Sequence, residues 1–195
     1  DFIDNAKGVG INFSNFSNPI EEIIKINKYF KQKEPFAIRP PAGIALLNIN
    51  HPKIEEFIQL KNNADYNDWC FDLSVVIDDE FFNNRNEKVY NCLLDSMLKK
   101  GEPGIIFSNN KNYICDCCAA AELKPNEGLT LAQINLAKFY NYKKNSVDYK
   151  YLKKTLKILK KALNNIDKNA YIGVLGYQDL LYKLNFEYGS KNALG

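Results

Sequence analysis

Three cysteines and one glutamate fall within eight residues of one another, at Cys115, Cys117, Cys118 and Glu122. Thiolates are good ligands for soft metal ions. A thiol close to a carboxylate is also a pair of groups that an enzyme using thiol chemistry could employ. A Cys-x-Cys-Cys metal site would need a fourth ligand, and the neighbouring sequence offers no obvious one. Small buried residues without chemistry are the competing interpretation of the three cysteines. The sequence therefore predicts no metal site here.

The remaining cysteines and the histidine exclude other kinds of site. Cys70 lies beside Trp69 at a predicted strand start and Cys92 on a helix interior, so both are expected in the core. The odd total of five cysteines and the lack of a secretory signal argue against a disulfide scaffold. His51 is the single histidine, which rules out a metal site with several histidine ligands.

The bulk composition is that of an ordinary globular protein. The formal net charge of +3 is too weak to predict nucleic-acid binding, and the lysines between Lys150 and Lys161 fall at the spacing of a solvated helix face. No run approaches the roughly 18 apolar residues of a membrane helix, and the N-terminus has no signal-peptide pattern. We expect a cytoplasmic protein without nucleic-acid or membrane partners. The chain begins at Asp1 and not at Met, as a fragment or a processed product would.

Predicted strands and helices alternate along the chain, which is typical of βαβ units and a largely parallel sheet. The predicted strands are a segment within residues 7–14, Ile44–Ile49, Phe71–Ile77, Ile105–Phe107 and Tyr171–Leu175, with a strand end or turn in Gln133–Phe139. The predicted helices are Pro19–Phe30, Pro52–Leu60, Glu87–Lys99, Asp148–Ile166 and Tyr177–Leu184, with a short helical turn at Asp78-Asp79-Glu80. Residues 113–123 have no clear periodicity.

Four blocks, in this order, carry a resemblance to a known family. They are Gly8-Val9-Gly10-Ile11-Asn12; Ile38–Gly43 with His51–Ile58, Phe71–Val75 and Asp79–Phe81; Gly101–Phe107 with Ile134–Phe139; and Ile172–Leu181 with Tyr188-Gly189-Ser190. Their collinearity across nearly the whole chain resembles the catalytic subunit of ribonucleotide reductases. The residues of these blocks are most similar to those of the adenosylcobalamin-dependent branch of the family.

The resemblance implies a ten-stranded α/β barrel made of two five-stranded parallel halves, with a finger loop inside that carries the radical cysteine. The predicted strands would form one parallel-sheet half of this barrel with surrounding helices, as a single partial barrel domain over residues 1–195. The family's first strand would precede Asp1, and its second half would follow Gly195. We therefore expect a truncated and compacted barrel.

The family's finger loop reads Asn-x-Cys-x-Glu, and the matching segment here is Cys118-Ala119-Ala120-Ala121-Glu122. In this register Glu122 falls on the carboxylate that accepts the 3′-hydroxyl proton, Cys118 on the asparagine and Ala120 on the radical cysteine. Alanine cannot carry a thiyl radical. In an alternative register Cys118 is the radical site at the loop tip, and its spacing to Glu122 departs from the family pattern.

Other family positions match in part. Leu129 stands where the resemblance implies the second redox cysteine. Arg39 falls on an arginine that links the specificity site to the substrate base, but Pro40 and Pro41 would stiffen a loop that prefers glycine; an ordinary surface arginine is the alternative. Gly8 and Gly10 fall in a turn whose backbone approaches substrate in the family, and a lone Gly-x-Gly is weakly specific.

Three functional hypotheses remain open. The first is a fragment or split piece of a ribonucleotide reductase, inactive alone and completed by a second copy or a complementary reductase chain, with a ribonucleotide substrate and adenosylcobalamin as the implied cofactor. The second is an inert nucleotide-binding or protein-interaction module on the same scaffold, favoured by shortened loops around an intact core pattern. The third is a different radical or thiol enzyme that uses Cys118 and Glu122.

Overall fold

The computed structural model describes residues 8–37, 40–65, 68–166 and 170–194. Contacts within the chain divide it into two compact units, one up to Asn126 and one from Glu127 onward. The interpretation of residues 1–195 as one partial barrel domain stays a prediction.

The first unit is built on a four-stranded parallel sheet. Its strands are β1 (Val9–Asn12), β2 (Gly43–Asn48), β3 (Phe71–Ile77) and β4 (Gly104–Phe107), in spatial order β1-β2-β3-β4. The connections contain α1 (Pro19–Lys33), a 3-10 turn (Glu34–Phe36), α2 (Ile54–Gln59), α3 (Asp79–Asn83) and α4 (Glu87–Lys100). The predicted α/β class with parallel strands and surrounding helices is confirmed. A half-barrel stays a prediction.

Successive side chains of a strand point to opposite faces of the sheet. The two faces of the central strands therefore pack against different parts of the first unit. Ala45 and Leu47 of β2 join the large core formed with α1, α2 and α4. Ile44 and Leu46 face the opposite side and pack with Val76 of β3. All six residues of β2 are buried, which fits a strand covered on both faces.

The second unit contains a smaller βαβ motif. Strand β5 (Thr130–Asn135) pairs in parallel with β8 (Ala170–Leu175), and α5 (Tyr149–Asn164) lies between them in the chain. A 3-10 turn (Leu136–Phe139), a short antiparallel pair of β6 (Tyr140–Asn141) with β7 (Ser146–Val147), α6 (Tyr177–Leu184) and α7 (Lys191–Leu194) complete it. The predicted strands therefore fall into separate parallel sheets, and β5 and β8 pair only with each other among the described residues.

One prediction about burial is wrong. The apolar run Ile105-Ile106-Phe107 predicts a buried strand, but Ile105 and Ile106 are half-buried and Phe107 is 69% exposed. Strand β4 lies at the edge of the sheet, where only β3 pairs with it among the described strands. In α5, Leu163 is buried and Leu152, Leu156 and Leu159 are half-buried, so the four leucines lie on the less exposed side of the helix. None of the described helices is both long and apolar enough to span a membrane.

Candidate functional site at the cysteine hairpin

Residues 113–123 form a short hairpin, called here the cysteine hairpin. Cys115 and Glu122 face each other in an isolated antiparallel bridge, and the Leu123 amide donates to the Ile114 carbonyl at 2.8 Å. The Ala119 amide donates to the Asp116 carbonyl at 3.1 Å and closes a turn at the tip. So short a hairpin offers too few alternating positions to give a periodic pattern.

The Asp116 side chain holds the tip of the hairpin in shape. Its Oδ2 accepts a hydrogen bond from the Cys118 amide at 3.1 Å, and its Oδ1 accepts one from the Ala121 amide at 2.9 Å. Ala119 adopts a left-handed backbone conformation with φ of 54°, which is costly for a residue with a side chain. Cys117 and Cys118 occupy the two central positions of the turn, and Ala120 follows directly after it.

The hairpin packs across the sheet face opposite α1, α2 and α4. Tyr113 and Cys115 are buried against Ile44, Leu46 and Val76. Burial raises the pKa of the Cys115 thiol to about 12, because the low-dielectric interior disfavours the thiolate. Burial likewise raises the pKa of Tyr113. Cys115 is thus a neutral core residue at physiological pH, as the structural interpretation of the cysteines predicted.

A row of alternate residues, Gly8 directly before β1 and Gly10 and Asn12 on it, receives the first arm of the hairpin. A Cβ atom on Gly8 would overlap the Cys117 side chain, and one on Gly10 would overlap the Cys115 carbonyl oxygen. Asn12 continues the row, and its Nδ2 donates to the Tyr113 carbonyl at 2.9 Å. Gly10 therefore permits a close approach of backbone to backbone, and Gly8 leaves room for the Cys117 side chain. Their predicted role in substrate binding stays a prediction.

Glu122 is exposed, and its Oε1 accepts a hydrogen bond from Asn110 Nδ2 at 2.7 Å. The Asn110 side chain is itself oriented, because its Oδ1 accepts from the Asn112 amide at 3.0 Å. Sequence reasoning missed Asn110 and Asn12. The period-two row Gly8-x-Gly10-x-Asn12 could have indicated Asn12, whereas nothing in the sequence pairs Asn110 with Glu122.

The predicted catalytic residues Glu122 and Cys118 lie on the same hairpin but in different parts of it. Glu122 is opposite Cys115 in the bridge, whereas Cys118 lies in the turn. Ala120, the alternative tip residue, is exposed beside that turn. The catalytic role of either position stays a prediction.

Three possible metal-binding side chains converge at the tip. One donor atom from each of Asp116, Cys117 and Cys118 lies within 4.8 Å of the other two, and the two Sγ atoms are 3.6 Å apart. Cys115 does not belong to this group, since its side chain is in the core. The Cys-x-Cys-Cys set considered from the sequence is therefore replaced by Asp116 and the vicinal cysteine pair.

An open groove of about 450 Å³ borders the tip of the hairpin. Cys117, Cys118 and Ala119 line it together with residues of β3 and the loop before β4, among them Asp72, Ser74 and Glu102. Glu102 Oε1 pairs with Lys61 Nζ at 2.8 Å. Its Oε2 is buried and has no hydrogen-bond partner among the described residues.

The other sequence-predicted positions lie away from the hairpin or outside the described residues. Arg39 is not among the described residues. Leu129, where the second redox cysteine is implied, directly precedes β5 in the second unit. Cys70 is buried, as predicted, and Cys92 is half-buried on α4, where its Sγ accepts from Gln59 Nε2 at 3.3 Å.

Comparison with known proteins finds a similarity to a ribonucleotide reductase. The chain is 28% identical, over 80% of its length, to the vitamin B12-dependent ribonucleoside-diphosphate reductase of Thermoplasma acidophilum. It spans 27% of the length of that relative. No family model matches the chain. The similarity indicates a relationship to ribonucleotide reductases.

Proposed function

We propose that this chain is a segment of a ribonucleotide reductase catalytic barrel and takes part in reducing ribonucleotides to deoxyribonucleotides. The observation that carries the proposal is the 28% identity to a vitamin B12-dependent ribonucleoside-diphosphate reductase over 80% of the chain. A parallel sheet with a cysteine-bearing hairpin across one face supports it, because the resemblance implies a loop of this kind within the barrel.

Glu122 is the residue proposed to accept the 3′-hydroxyl proton. A carboxylate that is exposed and oriented by an amide donor can approach a substrate hydroxyl. Asn110 Nδ2, at 2.7 Å from Oε1, fixes the orientation of the carboxylate. It also places an amide side chain beside Glu122, whereas the asparagine position of the family motif is occupied by Cys118 in this chain.

The chain is proposed to be inactive by itself. Hydrogen abstraction from the 3′ carbon needs a thiyl radical, and in the register that aligns Glu122 with the family's carboxylate the radical position is Ala120, which has no sulfur. Leu129 likewise offers no thiol for the electron-donating pair. A complementary reductase chain, or another copy of this chain, would have to complete the set.

Adenosylcobalamin does not fit the groove beside the hairpin. Drug-sized ligands already need pockets of roughly 300–1,000 Å³ that bury most of their surface, and a corrin with its nucleotide loop and adenosyl group is larger. The groove is open and has a volume of about 450 Å³. If this cofactor takes part in the reaction, residues outside this groove must hold it.

The test is an assay of the purified chain for deoxyribonucleotide formation, with ribonucleoside diphosphates and adenosylcobalamin. The chain is assayed alone and together with the products of its genomic neighbours. We expect no turnover alone and turnover in combination. Glu122→Gln should then abolish the turnover of the combination. Glu80→Gln, which changes an exposed carboxylate on α3, should leave that turnover unchanged.

The absence of turnover in every combination would overturn this proposal. The second candidate, an inert nucleotide-binding or protein-interaction module, is favoured by the register that aligns Ala120 with the radical position. Calorimetric titration with nucleoside diphosphates would then test whether the scaffold still binds nucleotides.

A further inference from the structure

We propose that the tip of the cysteine hairpin binds a thiophilic divalent cation of the Zn²⁺ class through Asp116, Cys117 and Cys118. The geometry of the two thiols is the first support. Two Zn–S bonds of about 2.3 Å at a tetrahedral angle place their sulfur atoms about 3.8 Å apart. The observed separation of Cys117 Sγ from Cys118 Sγ is 3.6 Å, so the pair needs little movement to hold one ion.

The third ligand comes from the same turn. A carboxylate oxygen of Asp116 lies within 4.8 Å of both sulfur atoms. Both Asp116 oxygens accept hydrogen bonds from backbone amides of the turn, Cys118 N and Ala121 N. These bonds fix the carboxylate and leave lone pairs on each oxygen for a cation.

The groove beside the tip supplies a second, independent indication of a ligand. Glu102 lines this groove together with Cys117 and Cys118, and its Oε2 is buried without a hydrogen-bond partner among the described residues. An unsatisfied buried carboxylate oxygen is costly. A cation-bound water in the groove would provide the missing donor.

Three protein ligands leave the fourth tetrahedral position for water or another small ligand, which is the arrangement of catalytic zinc sites and not of closed structural ones. Binding of the cation changes no oxidation state. The two thiols release two protons to solvent as two S–metal bonds form, and the Asp116 carboxylate contributes its existing charge. The resulting centre carries one net negative charge.

Cobalt(II) is the probe for the test, because it occupies the same kind of site and produces a thiolate charge-transfer absorption. The full chain is titrated under anaerobic, reducing conditions, and Zn²⁺ is then added as a competitor. We expect saturation at about one Co²⁺ per chain and loss of the absorption on addition of Zn²⁺. Cys117→Ser and Cys118→Ser should each weaken Co²⁺ binding by at least about tenfold.

The matched control is Cys92→Ser, which removes a half-buried thiol on α4 and should leave Co²⁺ binding unchanged. Far-ultraviolet circular dichroism of each variant checks that it is folded. The proposal is overturned if the chain shows no charge-transfer absorption, or if both tip variants keep it. It is also overturned if thiol counting shows Cys117 and Cys118 joined as a disulfide under the reducing conditions.

This inference does not depend on the reductase proposal, because the titration uses neither nucleotide nor adenosylcobalamin. A chain that binds Co²⁺ but yields no deoxyribonucleotide keeps the metal site and loses the proposed function. A chain that yields deoxyribonucleotide but does not bind Co²⁺ keeps the proposed function and loses the metal site.

Discussion

Cys115 and Cys118 lie on one hairpin but in opposite environments. Cys115 is 1% exposed and packs on Leu46, whereas Cys118 is exposed in the turn. Thiol chemistry depends on thiolate formation and on access. The two residues should therefore differ strongly in reactivity, although the sequence presents them as members of one cluster.

In the native chain at about pH 8, a disulfide reagent such as DTNB should modify Cys118 rapidly and Cys115 only after unfolding. The folded state raises the pKa of Cys115 to about 12, so the thiol stays protonated there while an unfolded chain already forms thiolate. Peptide mapping by mass spectrometry measures each site. Equal labelling rates for the two cysteines in native protein would contradict the prediction, and labelling in urea gives the unfolded reference.

The same shift makes the contribution of Cys115 to stability dependent on pH. A folded-state pKa above the unfolded value means that the contribution is complete below the unfolded pKa and is lost as pH rises toward about 12. Cys115 therefore adds to alkaline destabilisation and has no part in acid denaturation.

Gly10 tests whether the hairpin depends on close contact with β1. Gly10→Ala should destabilise the first unit by about 1–3 kcal/mol, because the new methyl group overlaps a backbone oxygen that cannot turn away. The measurement is urea unfolding followed by circular dichroism. Gly173→Ala is the matched control in β8, since its methyl group would lie 3.7 Å from Gln133 Cγ. A stability loss no larger than that of the control would disprove the close contact.

At the scale of the elements, a buried ion pair connects three parts of the first unit. Lys61 follows α2 and is 6% exposed, yet its Nζ donates to the Phe71 carbonyl of β3 at 2.8 Å and to Glu102 before β4. Buried charges need partners. This lysine therefore positions the loop that forms one side of the groove.

Lys61→Met should cost about 3–5 kcal/mol of unfolding free energy, because it leaves the Glu102 carboxylate buried without its cation. The double variant Lys61→Met/Glu102→Leu should recover most of the loss, since an apolar pair of similar volume replaces the ion pair. Denaturant titrations of the single and double variants give the coupling. An equal loss in both would show that Lys61 acts through packing and not through its charge.

Most elements of the first unit could be predicted from the sequence because their signals are local. The prediction of β3 as Phe71–Ile77 is confirmed, and α1 begins at Pro19, a proline in the first turn. The burial of β4 could not be predicted. Its apolar run indicates a buried strand, but its edge position depends on which strands pair, and strand pairing is not local.

At the scale of the whole molecule, the strands of the second unit leave apolar side chains uncovered. Val174 of β8 is 62% exposed, and Leu131 of β5 and Leu175 are also exposed. A two-stranded sheet is marginal on its own, and exposed strands with apolar residues promote association. These features support the prediction of a second copy or a partner chain.

The chain alone should therefore associate as its concentration rises, as measured by size-exclusion chromatography with light scattering. Val174→Lys should shift this equilibrium toward the monomer, because a charge on an exposed strand opposes pairing with another chain. Lys substituted for Ile158, which is exposed on α5, is the control and should change association less. A monomer at all concentrations would contradict the expectation.

The sequence by itself determined the α/β class, the parallel strands and the resemblance to ribonucleotide reductases, because periodicity and motif order depend only on the order of residues in the chain. It also placed Cys118 and Glu122 in one segment. Only the tertiary structure decided that Cys115 is a core residue and that Asp116 joins Cys117 and Cys118. It alone placed Asn110 on Glu122, since such contacts depend on how the hairpin folds against the sheet.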